Sequence, residues 1–158
     1  MPKALSIIPS GVRIVDTLGA INEFFRFRWE ELRSGFQTTP TVAGEPDLQK
    51  TGQTAALATT ALYTTKTAGL FRISYYMRKT VADGVSSSLT VTYGWTESGN
   101  PLTEAQAALT TDTTGAEQSG SKLVYADANT NLTLAVAYAS NTPNRMTWRI
   151  DSCVEQMA

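Results

Sequence analysis

The sequence predicts a mainly β protein, an antiparallel β-sandwich preceded by one short N-terminal α-helix. Three observations carry that expectation. Apolar and polar residues alternate with period two through several stretches between Phe71 and Ile150, the pattern of strands with one face in a core. Polar turn clusters separate those stretches at short intervals, as in sandwiches. Ahead of them, Phe25, Trp29, Leu32 and Phe36 recur at spacings of four, three and four, which places them on one face of a helix.

Within the first segment, Val12 to Val15 suit a short strand or extended lead-in, and Asp16 to Gly19 a turn. Asn22 fits a helix N-cap, Glu23 the positive end of the helix and Gly35 its C-terminal stop. Phe25, Phe27 and Trp29 also alternate with Arg26, Arg28 and Glu30, so a strand is the rival reading. The cap and the closing glycine favour the helix. Residues 1–36 are therefore read as an attachment or oligomerisation segment. From Gln37 to Gln53 the chain carries Pro40, Gly44, Pro46 and Gly52 with few large apolar residues, the composition of a linker. The sandwich domain is expected over residues 54–158.

In that domain Phe71, Ile73, Tyr75 and Met77 alternate with Arg72, Ser74, Tyr76 and Arg78. Asp83-Gly84 suits a hairpin turn into a second strand, whose Leu89, Val91, Tyr93 and Trp95 share one face. Glu97 to Pro101 ends that strand. Leu102 to Ser121 is ambiguous: Thr103 and Gln106 resemble a capping box, whereas Thr110 to Thr114 suits a strand. It is expected to be a long connection holding one edge strand. Leu123 and Tyr125 mark the next strand; Leu132, Leu134, Val136 and Tyr138 another, with small alanines on its second face. After a turn at Asn141 to Asn144, Met146, Trp148 and Ile150 form the inward face of the last strand, which extends toward Val154.

Composition narrows the chemistry. A chain of 158 residues with 42% hydrophobic and 17% charged residues suits one globular domain. A net charge of −1 gives no long-range attraction for nucleic acid. No apolar run approaches the ~20 residues of a membrane span, and Met1 to Pro9 does not fit a secretory signal. Histidine is absent, which removes the commonest general base and most zinc sites. The single cysteine, Cys153, cannot form an internal disulfide and reads as a half-buried strand residue.

Few candidate sites stand out against this background. Glu30 and Glu31 are adjacent, so on a helix they diverge by about 100° and cannot converge on a substrate. Glu97, Glu104, Asp112, Glu117 and Asp127 fall in expected turns, but no dense calcium-type loop accompanies them. No phosphate loop, nucleophile motif or metal cluster is present in the sequence. Two surfaces remain: Phe25, Trp29, Leu32 and Phe36 as an assembly or attachment interface, and Arg72, Tyr76 and Arg78 as an outward contact surface. No enzyme activity and no cofactor is expected.

Arg13-Ile14-Val15-Asp16, then Gly19, Phe25, Arg26, Arg28, Trp29 and Leu32, resemble a lead-in segment of tailed-bacteriophage structural proteins. The stretch Ala68 to Ser74, the turn into Asn131 to Leu134 and the closing Met146 to Ile150 resemble the jelly roll of the tumour necrosis factor and complement globular-head type. These resemblances imply a jelly-roll-like sandwich that forms a homotrimer on a virion, assembled in the cytoplasm of a host bacterium, with capsid or tail proteins as partners. They imply a capsid decoration or short head fibre. The alternatives are a receptor-binding tail-fibre or tail-tip protein engaging a host-surface glycan or receptor, and a carbohydrate-binding module.

Overall fold

A computed structural model describes residues 41–43 and 48–157 of the chain. The chain divides between Thr39 and Pro40, and the described residues all belong to the second unit. The expected helix, with Phe25, Trp29, Leu32 and Phe36, lies outside them, as does the lead-in at Val12 to Val15.

Among the described residues nine strands follow in order: β1 (Thr41–Val42), β2 (Leu48–Gln53), β3 (Leu57–Thr64), β4 (Gly69–Val81), β5 (Ser87–Glu97), β6 (Asn100–Ala105), β7 (Glu117–Ala126), β8 (Asn131–Ser140) and β9 (Thr147–Gln156). They form two sheets in which every pairing is antiparallel. One is ordered β1-β9-β4-β7, with β2 also paired to β9; the other is ordered β3-β8-β5-β6.

The alternation read from the sequence fixes which side of each strand is inside. Phe71, Ile73, Tyr75 and Met77 of β4 and Trp148, Ile150 and Val154 of β9 are buried, and so are Leu89, Val91, Tyr93, Leu132, Leu134 and Val136 of the facing sheet. These residues form one core cluster. Full burial of each large aliphatic or aromatic side chain stabilises the fold by roughly 1.5–3 kcal/mol, which makes this layer its main support. The Tyr75 and Tyr93 rings meet across the layer at 6.0 Å between centroids.

Several expectations are corrected. The linker reading fails for residues 48–53, because β2 pairs with β9, with Leu48 opposite Ser152 and Lys50 opposite Ile150. Gly52 lies at positive φ inside a register shift between Lys50 and Gln53; a glycine that reads as a linker signal here marks a bulge. Strand β3 escaped the sequence reading because its Ala/Thr-rich edge has little apolar contrast.

Asp83-Gly84 does not turn a hairpin, since β4 and β5 belong to different sheets. The real two-residue hairpin is Ser98-Gly99, at φ 52° and 75°, the doubly positive turn that suits the twist of paired strands. It leads into β6, so the edge strand expected within 102–121 exists but lies at Asn100–Ala105. The capping-box residues do not start a helix: Gln106 donates its backbone N–H to Val91 O at 2.8 Å. Leu123 and Tyr125 lie in a strand as expected but face outward, 55% and 49% exposed, while Val124 and Ala126 are buried.

Candidate functional site

The outer face of the β9-β4-β7 sheet is built by the residues that alternate with the core. On β4 these are Arg72, Ser74, Tyr76 and Arg78, the three sequence-nominated contact residues with Ser74 among them. The register sets their neighbours. Arg72 lies opposite Glu155 and Leu123, Ser74 opposite Cys153 and Ser121, Tyr76 opposite Asp151 and Ser119, and Arg78 opposite Arg149 and Glu117. Gln49 of β2 extends the Tyr76 row, because it pairs with Asp151.

Side-chain length therefore varies row by row. Cys153, Ser74 and Ser121 form a row of short side chains running across three strands. It is flanked by one ridge at Glu155 and Arg72 and another at Gln49, Asp151 and Tyr76. Ridges four residues apart along a strand stand about 13 Å apart, and neighbouring strands are about 4.8 Å apart. The result is a shallow trough of about 330 Å³ at the β2–β9–β4 end, lined by Gln49, Ser74, Tyr76, Asp151 and Cys153 together with Tyr75 and Ser152. Cys153 is half-buried there, as its place in the sequence pattern leads one to expect.

The ridges are held by their own interactions. Arg72 Nε donates to Glu155 Oε2 at 2.6 Å, and a second guanidinium nitrogen reaches the same oxygen at 2.5 Å. Tyr76 Oη donates to Glu117 Oε2 at 2.6 Å. Arg149 pairs with Asp151 at 3.1 Å and lies 5.6 Å from the Tyr76 ring centroid, within cation–π range. The hydrogen bond to Glu117 raises the Tyr76 phenol above its ordinary pKa, assisted by desolvation and by the Glu117 charge. At the far end of the same face the surface turns apolar, with Leu70, Leu123 and Tyr125 exposed.

A second polar cluster sits at one end of the sandwich. Lys79 occupies an inward position of β4 and is fully buried. Its ammonium donates to Ser87 O at 3.1 Å, Ser87 Oγ at 2.8 Å and Thr111 O at 2.8 Å. Two of those acceptors are carbonyls, so all three protons are committed and no nitrogen lone pair is presented to Ser87 as a general base. The Ser87 hydroxyl in turn donates to Asp112 Oδ1, whose carboxylate also accepts the backbone N–H of Asp83 and Gly84. Burial lowers the Lys79 pKa, offset in part by Asp112. Asp83 accepts the backbone N–H of Ser86, Asn141 and Thr142. The arrangement locks loops together.

The remaining sequence-nominated carboxylates are also tied down. Asp127 accepts the Ser98 and Gly99 N–H groups, and Glu104 pairs with Lys122. Among the described residues no group of three or more Cys, Asp or Glu could hold a metal ion. Sequence reasoning found the β4 residues of the outer face but missed Gln49, Asp151 and Glu155. The alternation of Arg149, Asp151, Cys153 and Glu155 on β9 is the signal that could have found most of them.

No family model matches this sequence, and no curated protein matches it. Among solved structures, the chain is similar to the CBM22-1 xylan-binding domain from Paenibacillus barcinonensis Xyn10C, at 19% identity and TM-score 0.42, over 75% of this chain and 81% of that one. It is also similar to the CBM22-1–GH10 modules of Clostridium thermocellum endo-1,4-β-D-xylanase 10B complexed with xylohexaose, at 9% identity and TM-score 0.41, over 77% of this chain and 26% of that one. A third is Family 16 Carbohydrate Binding Module-2, at 9% identity and TM-score 0.35, over 75% of this chain and 86% of that one. At such scores and identities no ligand is transferred from them to this chain.

Proposed function

We propose that this chain is a non-enzymatic carbohydrate-binding protein that holds a glycan in the trough across β2, β9 and β4. The observation that carries this reading is the row of short side chains between two polar ridges. A sugar presents closely spaced hydroxyls that both donate and accept, and the ridges offer guanidinium donors, carboxylate acceptors and the Tyr76 phenol at inter-strand spacing. Because the ridge residues already hold one another, little side-chain ordering is left to oppose binding. The strand orders β2-β9-β4-β7 and β3-β8-β5-β6 support a jelly-roll-like reading of the sandwich, an architecture shared by lectin and viral coat domains.

The test is affinity electrophoresis of the whole chain through gels containing different polysaccharides. At least one polysaccharide should retard it, and Tyr76→Ala or Asp151→Ala should relieve the retardation while leaving the urea-unfolding midpoint in place. Unretarded migration through every gel would reject the reading.

A second reading concerns where the protein acts, and the opposite sheet favours it. The outer face of that sheet presents Thr90, Thr92 and Gly94 of β5 beside Thr133, Ala135 and Ala137 of β8, short side chains suited to close packing. With the resemblance of residues 13–32, this supports a homotrimer on a bacteriophage particle, as capsid decoration, short head fibre or tail tip, with the trough turned toward a host-surface glycan. Labelling of purified virions and light scattering of the isolated chain test it. Absence from the particle, or a monomer at micromolar concentration, would count against it.

A further inference from the structure

The outer face holds three arginines, and they differ in how far the fold satisfies them. Arg72 is bound to Glu155 through two nitrogens. Arg149 spends one ion pair on Asp151 and keeps 44% of its side chain exposed. Arg78 is exposed and makes no ion pair among the described residues. Its guanidinium instead lies beside Gly115, where a Cβ would come within 3.4 Å of it.

Arg78 and Arg149 also stand directly opposite one another on β4 and β9. Like charges in that relation are unfavourable in a sheet. Asp151 offsets the charge of Arg149 through their ion pair, and Glu117, opposite Arg78 on β7, accepts the Tyr76 hydroxyl, so the uncommitted guanidinium donors lie chiefly on Arg78. The two guanidiniums bracket Tyr76, one over its ring and the other close enough to influence its phenol. Tyr76 in turn forms one wall of the trough. A ligand ring placed in the trough would thus have a cationic pair just beyond that wall.

We propose that the glycan is acidic, and that a carboxylate carried by one of its sugars is held by Arg78 and Arg149 beside Tyr76. Planar guanidinium groups match carboxylates through paired, charge-assisted hydrogen bonds. This assignment rests on the carbohydrate-binding reading and specifies its substrate class.

The experiment measures binding of the full chain to polygalacturonate, alginate, hyaluronan and polysialate, each beside its carboxyl-reduced, neutral form, together with a panel of neutral polysaccharides. At least one acidic polymer should bind, weaken about tenfold or more on carboxyl reduction, and weaken further with added salt. Arg78→Gln and Arg149→Gln should reproduce that loss on the acidic polymer, whereas Lys66→Gln, on an exposed connection away from the trough, should not. Unchanged urea midpoints establish that the variants fold. Equal binding of acidic and reduced forms, or binding of neutral glycans alone, overturns the acidic assignment and leaves the trough as a sugar site. No binding of any polysaccharide removes both.

Discussion

Replacing Lys79 with Met tests whether the buried ammonium holds one end of the sandwich together. The side chain is fully buried, and its nitrogen makes hydrogen bonds at 3.1, 2.8 and 2.8 Å to Ser87 O, Ser87 Oγ and Thr111 O. Met keeps most of the aliphatic packing and removes the donor. The Ser87 hydroxyl retains Asp112 as its acceptor, so the cost falls on two carbonyls. A buried acceptor left without a donor costs about 1–3 kcal/mol. Ser87 is buried and bears most of that cost, whereas Thr111 is nearer solvent and recovers part of its loss by hydration. The expected destabilisation is about 2–3 kcal/mol, equivalent to roughly 10 °C in melting temperature for a unit of this size. Urea unfolding followed by the fluorescence of buried Trp148 measures it. Hydrogen exchange adds a local readout, because Leu89 and Leu109 exchange backbone hydrogen bonds at 2.8 and 3.3 Å next to the lock and their protection should fall most. Buried charges are sometimes replaced by apolar groups with a gain in stability. A Met variant as stable as the parent, or more so, would show that the ammonium is tolerated and does not hold the loops.

Three further outcomes follow from the same geometry. The Asp112 pKa is lowered chiefly by the Ser87 hydroxyl; that of Asp83 is lowered because backbone N–H groups outweigh its desolvation. Their stabilisation is therefore complete above the unfolded carboxylate range, about pH 5, and is lost as pH falls through about 4 and below; parallel acid profiles for the parent and an Asp83→Asn/Asp112→Asn variant would refute this. Gly120→Ala places a Cβ 2.8 Å from Tyr75 Cε1 and should cost about 1–3 kcal/mol by overpacking, with recovery in a Tyr75→Leu background; an unchanged midpoint in the single variant would show that the ring moves freely. Ser74→Phe should fill the trough and abolish retardation by polysaccharide gels while shifting stability by no more than about 0.5 kcal/mol, and retained binding would move the site elsewhere.

Much of the sandwich could be read in the sequence because the burial pattern that chiefly stabilises it is local. Period-two burial is written into Phe71 to Met77, Leu89 to Tyr93 and Leu132 to Val136, and all those apolar positions are buried. Where apolar contrast is weak, the same logic loses its grip. Strand β3 alternates among Ala, Thr and Leu, and β7 carries its larger apolar residues, Leu123 and Tyr125, on the outside. Turn chemistry was legible only in part. Asp83-Gly84 and Ser98-Gly99 both present a positive-φ glycine, yet the first connects two sheets and the second closes a hairpin. What separates them is tertiary: the carboxylate of Asp83 is turned inward to collect the N–H groups of Ser86, Asn141 and Thr142, a set of partners that no four-residue window contains.

The trough illustrates the same division more sharply. That Arg72, Tyr76 and Arg78 share the outer side of one strand follows from alternation alone, and so does the outward set Arg149, Asp151 and Glu155 on β9. What turns two such strips into a site is the register between them, and Arg72 meets a glutamate 83 positions away. A shift of β9 by two residues would keep every core residue inside and every polar residue outside. It would place Cys153 opposite Arg72 or Tyr76, fill the row of short side chains with longer ones, and separate Arg78 from Arg149. Core burial therefore selects the face of β9, while its pairing with β4 selects the site. The cross-strand pairs Arg72–Glu155 and Tyr76–Asp151 are consequently the contacts on which both the shape of the trough and its chemistry depend.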